Sequence, residues 1–505
     1  MKAIAMISLV WAAVYLPGLG SLEIKGEEGR RILPAIAMIE SSDAARGAGE
    51  TIRSYIVPRI GSEAYLRKPP LINWLVAASF KIFGQRTEWT ARLPSALSVL
   101  IVAIVFVIVA RPSLGAPGST IAALVWLTNV GIIEKGRLTE IEALYASLFA
   151  LAIICWLAFW EQKRSAWLTW FVPWIFLGLG WLAKGPLHLF FFYAMVLAVL
   201  WRAGQVRVLW NVPHLIGIIV MLSIFAAWAI PFAQMTGQEH TAHVWAKQFS
   251  GRLTESIHWK SWALNIPRSL VYFLPWLGLL PFVASRGHSS SPIQSSQLLR
   301  RSRRLRWTGG LRPPSALTVE AVGSIACPGT GRPRLQSALT WGIVVPLVIV
   351  DLIPGALPRY TLPLAAPFAW LLGSMVGEET GKWQKLVMGG IVMATCVAIW
   401  IYAFAIIPRL RPRLRPIAAK IEEIVPESER LYAIDPDYQP FLFYVHRPII
   451  YVGSATDLPG DTKFFLVRWD DEDAALSAGK WPRTPSRVLS IQDYRDWHVS
   501  LFAVP

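Results

Sequence analysis

Apolar residues in this chain come in long unbroken blocks, close to the roughly 20 residues a helix needs to cross a hydrocarbon layer about 30 Å thick. About eleven blocks reach that length, centred on residues 3–19, 93–110, 118–134, 141–160, 167–183, 186–201, 210–232, 268–284, 337–353, 360–376 and 386–407. The pattern predicts a mainly α-helical, polytopic membrane bundle over residues 1–407. The first block has Lys2 ahead of a short apolar core, as a signal peptide would. It lacks a small-x-small cleavage site, so it is read as an uncleaved first span. Beyond residue 407 the pattern changes. Ile417–Ile424 is helix-like, and Arg430–Ile434, Phe441–Val445, Ile449–Val452, Lys463–Trp469 and Arg487–Ile491 predict short strands between Pro, Gly and Asp turns. Residues 408–505 are therefore expected to form a small soluble α/β domain.

Composition supports a membrane protein: of 505 residues 54% are hydrophobic and only 16% charged, against about 25% charged in an ordinary soluble domain. The balance of 49 Lys and Arg against 32 Asp and Glu gives +17. On so apolar a chain, that excess points to cations at anionic membrane faces, and nucleic acid is not an expected partner. Cys155 and Cys396 lie in apolar runs and Cys327 in a polar one, with no spacing that suggests a disulfide framework or a zinc site.

Basic short loops at Arg111, Lys163–Arg164, Arg202–Arg207 and Lys382–Lys385 mark the cytoplasmic side when the N-terminus is inside. Residues 20–92, the Glu134–Glu142 link, Lys184–Pro186, residues 234–267 and Pro354–Arg359 then face out. Residues 285–336 form a basic cytoplasmic loop of low-complexity character, with Arg300, Arg301, Arg303, Arg304 and Arg306 clustered. They are read either as a disordered tether or as an out-of-frame stretch. The run Pro408–Pro416 falls outside despite its arginines: either the span count is off by one or, as the preferred reading, the run rests on lipid phosphates at the outer face.

Charged side chains are costly inside a bilayer and so are informative about sites. Here they collect at the outer ends of the spans: Glu27, Glu28 and Arg30 after the first; Lys68 in Arg67-Lys68-Pro69-Pro70-Leu71; Arg137, Glu140 and Glu142 before the fourth; Lys184; Arg252, Glu255 and His258; and Arg359-Tyr360. Ile32, Ile36 and Ile39 follow the acid pair at helical spacing, predicting an interfacial helix with the acids at its start. Acids there also suit the helix dipole, and Lys68 also suits a snorkelling interfacial lysine. Glu140 is open between a supporting role and helix capping. Lys184 is open between phosphate contact and a snorkelling helix end.

Taken in order, Glu27-Glu28-Gly29-Arg30, Lys68-Pro69-Pro70-Leu71, Arg137-Leu138-Thr139-Glu140, Ala183-Lys184-Gly185-Pro186 and Leu357-Pro358-Arg359-Tyr360-Thr361-Leu362-Pro363 resemble bacterial members of the GT-C glycosyltransferase superfamily. The chain looks most like the dolichyl-phosphate-mannose protein mannosyltransferase and aminoarabinose transferase branch, over residues 1–405 apart from about 285–336. The resemblance implies a multi-pass protein of the bacterial inner membrane with its active site toward the periplasm. It implies inverting transfer of a sugar from a polyprenyl-phosphate donor to a protein or lipid acceptor, lipid A phosphate included.

By the same resemblance Glu27, Glu28 and Glu140 are the catalytic candidates, with Glu27 the general base. Lys68, Arg30, Arg137, Lys184, Arg359 and Tyr360 are the donor-phosphate candidates. Glu27 stands where the family usually has Asp, one methylene longer. Arg67 stands where aminoarabinose transferases carry an acid linked to metal binding, and Asp43–Arg53 looks like an insertion. The resemblance fixes no cofactor. A divalent metal stays open, with His258 its weak candidate. A lipid-linked saccharide flippase or exporter and a non-catalytic lipid-phosphate-binding assembly protein are the alternatives.

Overall fold

The structure is a computed structural model, and the residues it describes are 1–45, 47–237, 245–246, 259–280, 332–375, 381–478, 481–492 and 498–505. Each expected apolar block with described residues contains helix, but not each is a full span. Among the described residues six helices are individually long and apolar enough to cross a bilayer, or seven if the bent pair Arg111–Leu127 (α6) and Val130–Gly136 (α7) is one span. The six are Glu88–Val109 (α5), Ile141–Glu161 (α8), Ala166–Ala183 (α9), Val212–Thr236 (α11), Arg334–Asp351 and the stretch beginning at Lys382.

The other blocks are shorter than the scan of about eleven assumed. Lys2–Tyr15 (α1) and Leu187–Ala203 (α10) are short apolar helices. The block at 268–284 is the helix Asn265–Val271 (α12) followed by a 3₁₀ turn at Trp276–Leu279. Residues 360–376 divide into a 3₁₀ turn, Pro358–Leu364, and an 11-residue helix, Ala365–Met375 (α14). Hydropathy counts apolar residues, whereas Pro275, Pro358 and Pro363 lie within or beside these broken stretches and each removes a backbone donor. Helix α8 is the hub, with 89% of its apolar window buried, whereas the window beginning in Lys382–Ile401 (α15) is 17% buried and so faces lipid.

Between α1 and α5 lie elements that do not span. Gly26–Asp43 (α2) carries the expected amphipathic face, with Ile32 and Ile39 buried. Ala48–Ile56 (α3) occupies the insertion seen in the sequence, a two-strand ribbon joins Arg59–Ile60 (β1) to Glu63–Ala64 (β2), and Leu71–Phe83 (α4) follows. Helix Arg332–Asp351 (α13) begins five residues inside the expected basic loop, and residues 285–331 lie outside the described residues.

After α15 the chain forms Leu414–Ile424 (α16) and a five-stranded sheet of order β4-β3-β5-β7-β6. Its strands are Leu431–Ile434 (β3), Ile449–Val452 (β4), Phe464–Arg468 (β5), Ser486–Gln492 (β6) and His498–Ala503 (β7). β4, β3 and β5 are mutually parallel, whereas β7 is antiparallel to both β5 and β6. Two expectations are corrected. Phe441–Val445 is not a strand: Pro440–Tyr444 is a 3₁₀ turn, begun by a proline whose fixed φ suits a helical start. β7 went unread because its run Val-Ser-Leu-Phe is buried throughout, without the alternation that marks a half-exposed strand.

The sheet's two faces serve different cores, as side-chain alternation requires. Leu431, Ala433, Leu466 and Leu501 join Ile32, Ile72, Ala418 and Ile421 in one continuous core, so this face lies on α2, α4 and α16. Tyr432, Ile434, Phe465, Val467 and Phe502 form a separate core with Ala475 of Glu472–Ala478 (α17).

Candidate active site

The basic residues Arg111, Lys163, Arg164, Arg202, Arg207, Lys382 and Lys385 are all exposed, at or next to helix ends. The motif residues gather where α1 and α9 end and where α2, α5 and α8 begin. Two buried arginines build this junction. Arg92, on the first turns of α5, is 1% exposed and pairs with Glu28 through two hydrogen bonds of 2.9 and 2.8 Å. It also donates to the carbonyls of Leu19, Leu22 and Glu23. Glu28 in turn accepts from the N–H groups of Lys25 and Thr139, at 2.8 Å each. Burial alone would raise the Glu28 carboxyl; Arg92 and the two N–H donors hold it below the usual carboxylate range. Its lone pairs are thus engaged in joining the start of α2, α5 and the link before α8. All four of these bonds are to the protein's own groups.

Arg137 is likewise engaged. Its guanidinium donates to the carbonyls of Val14, Tyr15 and Pro17, closing the C-terminal end of α1, where carbonyls lack helical partners. Arg137 thus caps the end of this helix.

Because Glu28 at the third position of α2 bonds back to Lys25, half of a capping box, Glu27 points to a different side and stays about a third exposed. Arg30, one turn on, bonds Glu27 at 2.9 Å. Arg30 is itself fixed from the C-terminal sheet: its other Nη donates to the Tyr438 hydroxyl, and its guanidinium lies 3.9 Å from the Tyr438 ring centre. The two segments approach closely enough that only glycine fits at position 29, since a Cβ there would stand 2.5 Å from the Tyr438 carbonyl oxygen. Nearby, Tyr444 donates to the Glu88 carboxylate at 2.9 Å and accepts the Ile24 N–H.

A second cluster lies at the start of α8. Glu142 takes Lys184 at 3.4 Å and Arg359 at 3.1 Å, and Glu140 takes Lys135 at 3.2 Å. Glu140 occupies the N-cap position without a side-chain cap bond, so its carboxylate serves the cluster and not the helix end. Lys184 is only 13% exposed and lies 4.5 and 5.3 Å from the ring centres of Tyr360 and Tyr145, inside the protein, so it does not snorkel. The turn carrying it uses Gly185 at φ +133°, a conformation that L side chains rarely adopt.

Burial, then the charge of Glu142, pushes the Glu140 carboxyl above the usual range, against Lys135 and Arg359. Burial pushes the Lys184 amine down, although Glu142 opposes it. For Arg359 burial disfavours the charge, and the carboxylates of Glu142, Glu140 and, farther off, Glu27 outweigh it. Arg31, on α2, adds its positive field at Lys184. Lys135 also pairs with Glu134 at 2.8 Å, so Lys135, Lys184, Arg359 and Arg31 outnumber Glu134, Glu140 and Glu142 by one, and this positive excess suits an added anion.

The structure thus gathers Glu140, Lys184, Arg359 and Tyr360 from the expected set and adds Glu142 and Lys135. Lys68 is half-buried on the turn entering α4. Arg252, Glu255 and His258 lie outside the described residues, as does Cys327. Among the described residues no three His, Cys, Asp or Glu side chains converge to hold a metal ion, and Arg67 offers no ligand, so no chemical step is derived through one. Arg92, Lys135 and Tyr438 were not singled out in the sequence. An arginine at the edge of an apolar block is the one signal that marked Arg92.

A family model for dolichyl-phosphate-mannose-protein mannosyltransferases matches residues 67–230. The undecaprenyl phosphate-alpha-4-amino-4-deoxy-L-arabinose arabinosyl transferase 2 of Proteus mirabilis is 25% identical over 331 residues, 63% of this chain and 51% of that protein. Its namesake from Pseudomonas fluorescens is 22% identical over 348 residues, 66% of this chain and 54% of its own. The chain therefore spans about half the length of the curated relatives it matches. In fold it is similar to ArnT from Cupriavidus metallidurans bound to undecaprenyl phosphate, with a TM-score of 0.63, 17% identity, and coverage of 100% of this chain and 97% of that one. The chain is thus similar in sequence to undecaprenyl phosphate-aminoarabinose arabinosyl transferases over about two thirds of its length, and in fold to ArnT.

Proposed function

We propose that the protein transfers a sugar from a polyprenyl-phosphate carrier to a lipid or protein acceptor at the outer face of the inner membrane. The observation that carries this reading is the pairing of a buried cluster with excess positive charge, around Lys184 and Arg359, with a partly exposed carboxylate, Glu27, held by Arg30. The relatives named for undecaprenyl phosphate-linked aminoarabinose support the donor class. In the reaction the bond between the anomeric carbon and the phosphate oxygen breaks, and its electron pair leaves on the polyprenyl phosphate. Lys184, Arg359, Lys135 and Lys68 stabilise that charge as it develops. The acceptor hydroxyl forms the new bond from the opposite side, inverting the centre, and gives its proton to Glu27. With a phosphate acceptor no base is needed, and Glu27 instead stabilises the electron-poor carbon.

Mass spectrometry of envelope lipids and glycoproteins from intact and deletion strains tests the reading. The deletion is expected to accumulate a polyprenyl-phosphate sugar while one lipid or protein loses that sugar's mass. Unchanged pools of both would overturn it.

Two geometric predictions accompany it. Tyr438→Phe removes the hydroxyl that accepts from Arg30 but keeps the ring, so turnover should fall roughly tenfold or less with donor KM unchanged, the size expected for one hydrogen bond to a charged group. Tyr438→Ala also removes the cation–π contact and should fall further. Equal activity in both variants would show that Arg30 holds Glu27 without the sheet. For the second cluster, Glu142→Gln removes a charge that raises the Glu140 carboxyl. The Glu140 protonated-carboxyl infrared band, identified by its loss in Glu140→Gln, should then titrate at lower pH than in the parent. A band that stays or moves upward would mean that burial alone sets Glu140.

A further inference from the structure

Where lipid-facing α15 ends, the chain carries Arg409, Arg411, Arg413 and Arg415 within seven residues, and all four are exposed. Immediately before and among them Trp400, Phe404, Ile406 and Leu410 are exposed apolar side chains, so the arginines sit where hydrocarbon gives way to headgroups. The segment is held against the protein. The Glu23 carboxylate accepts the backbone N–H groups of Arg413, Leu414 and Arg415 at 2.8, 3.0 and 2.9 Å, and Arg415 pairs with Glu88. Arg409 bonds the Ala405 carbonyl, whereas among the described residues no carboxylate lies within ion-pair distance of Arg409, Arg411 or Arg413. A cleft of about 1080 Å³ opens here between the α1–α2 turn, this segment and the C-terminal sheet. Its wall combines those arginines and Lys25 with Leu22, Ile407, Leu410 and Phe441.

We infer that this cleft binds the phosphate headgroup of an anionic phospholipid, with Arg409, Arg411 and Arg413 as its cations and the exposed face of α15 taking the acyl chains. Charge complementarity selects the class. Three guanidinium groups at headgroup level, without a carboxylate partner among the described residues, favour an anionic over a zwitterionic lipid, and the adjoining apolar wall favours a lipid over a free ion. The backbone clamp by Glu23 explains how the arginines are presented without a carboxylate neutralising them. The site lies apart from the cluster around Glu142 and does not rest on the transferase reading.

The test titrates the detergent-solubilised full chain with phosphatidylglycerol, phosphatidylcholine and inorganic phosphate, reading bound lipid by native mass spectrometry. Phosphatidylglycerol is expected to bind in preference to phosphatidylcholine. Arg409→Gln, Arg411→Gln and Arg413→Gln together should weaken it about a hundredfold, roughly fivefold for each cation. The corresponding triple lysine variant should retain most of the binding. Because the triple glutamine variant could misfold, its melting temperature in phosphatidylcholine is measured alongside and should match the parent's. Equal binding of the two lipids, undiminished phosphatidylglycerol binding by a folded glutamine variant, or competition by inorganic phosphate at equal concentration would each overturn the proposal. A glutamine variant that melts early while the lysine variant loses binding would overturn it too, since the segment would then be structural.

Discussion

Glutamine in place of Glu27 lowers sugar transfer by at least about two orders of magnitude, the usual scale for a general base, while leaving donor affinity nearly unchanged. The substitution keeps the shape of the side chain and an oxygen that can still accept from Arg30. What it removes is the capacity to take a proton from the acceptor hydroxyl. Donor affinity should survive because the phosphate is assigned to the cations around Glu142, whereas Glu27 pairs with Arg30 and acts on Arg359 only as the weakest of its carboxylates. Single-turnover measurements with the polyprenyl-phosphate sugar separate the two quantities. A strain carrying Glu27→Gln should therefore accumulate donor as the deletion does. Retention of most activity would remove Glu27 from the base role. In that event a phosphate acceptor, which needs no base, becomes the better chemistry for the same site.

Much of the helical frame was legible because a membrane span is written in one contiguous stretch: α5, α8, α9 and α11 follow the apolar blocks closely. Where the reading erred, the determinant was not local hydropathy. Prolines divide residues 358–375, and a continuously buried strand, β7, carries no alternation. For the site, residue types named several members of the cluster, including Lys184 and Arg359, but not their partners. Arg92 reaches Glu28 across 64 positions and Arg30 reaches Tyr438 across 408, distances that no spacing rule covers. Glu28 and Arg137 show the converse. An acid at a helix start, or an arginine beside a span, looks the same in sequence whether it faces a substrate or the carbonyls and N–H groups of its own backbone. The bonds that Glu28 and Arg137 make to the backbone become visible only in three dimensions. The Pro408–Pro416 run is a mixed case. It was expected on lipid phosphates; the structure adds the clamp at Glu23 and the pair at Glu88, which belong to the protein itself.

Arg92→Met should be among the most destabilising single changes in the chain, costing about 3–5 kcal/mol, because it leaves a buried carboxylate without its counter-ion. Glu28 is 1% exposed and cannot relax into water. Adding Glu28→Gln should recover part of that loss, since the double variant buries no charge, whereas independent contributions would sum to a larger loss. The pH dependence gives a sharper test. In the parent, Glu28 titrates below its unfolded value. Its contribution to stability is therefore present above the unfolded carboxylate pKa and is lost as pH falls through the lower folded value. Without Arg92 the burial that opposes ionisation prevails, and the folded value rises above the unfolded one. The sign then reverses: Arg92→Met is most stable while Glu28 is protonated and weakens as pH rises through the window above the unfolded value. Thermal melting of the detergent-solubilised protein between pH 4 and pH 8, on the order of that window, should show the variant losing stability toward high pH where the parent does not. A variant whose melting follows the parent's pH trend would mean that the Lys25 and Thr139 N–H groups alone suffice to hold Glu28 ionised, and the Arg92 bridge would then be a packing feature and not the charge that fixes this junction.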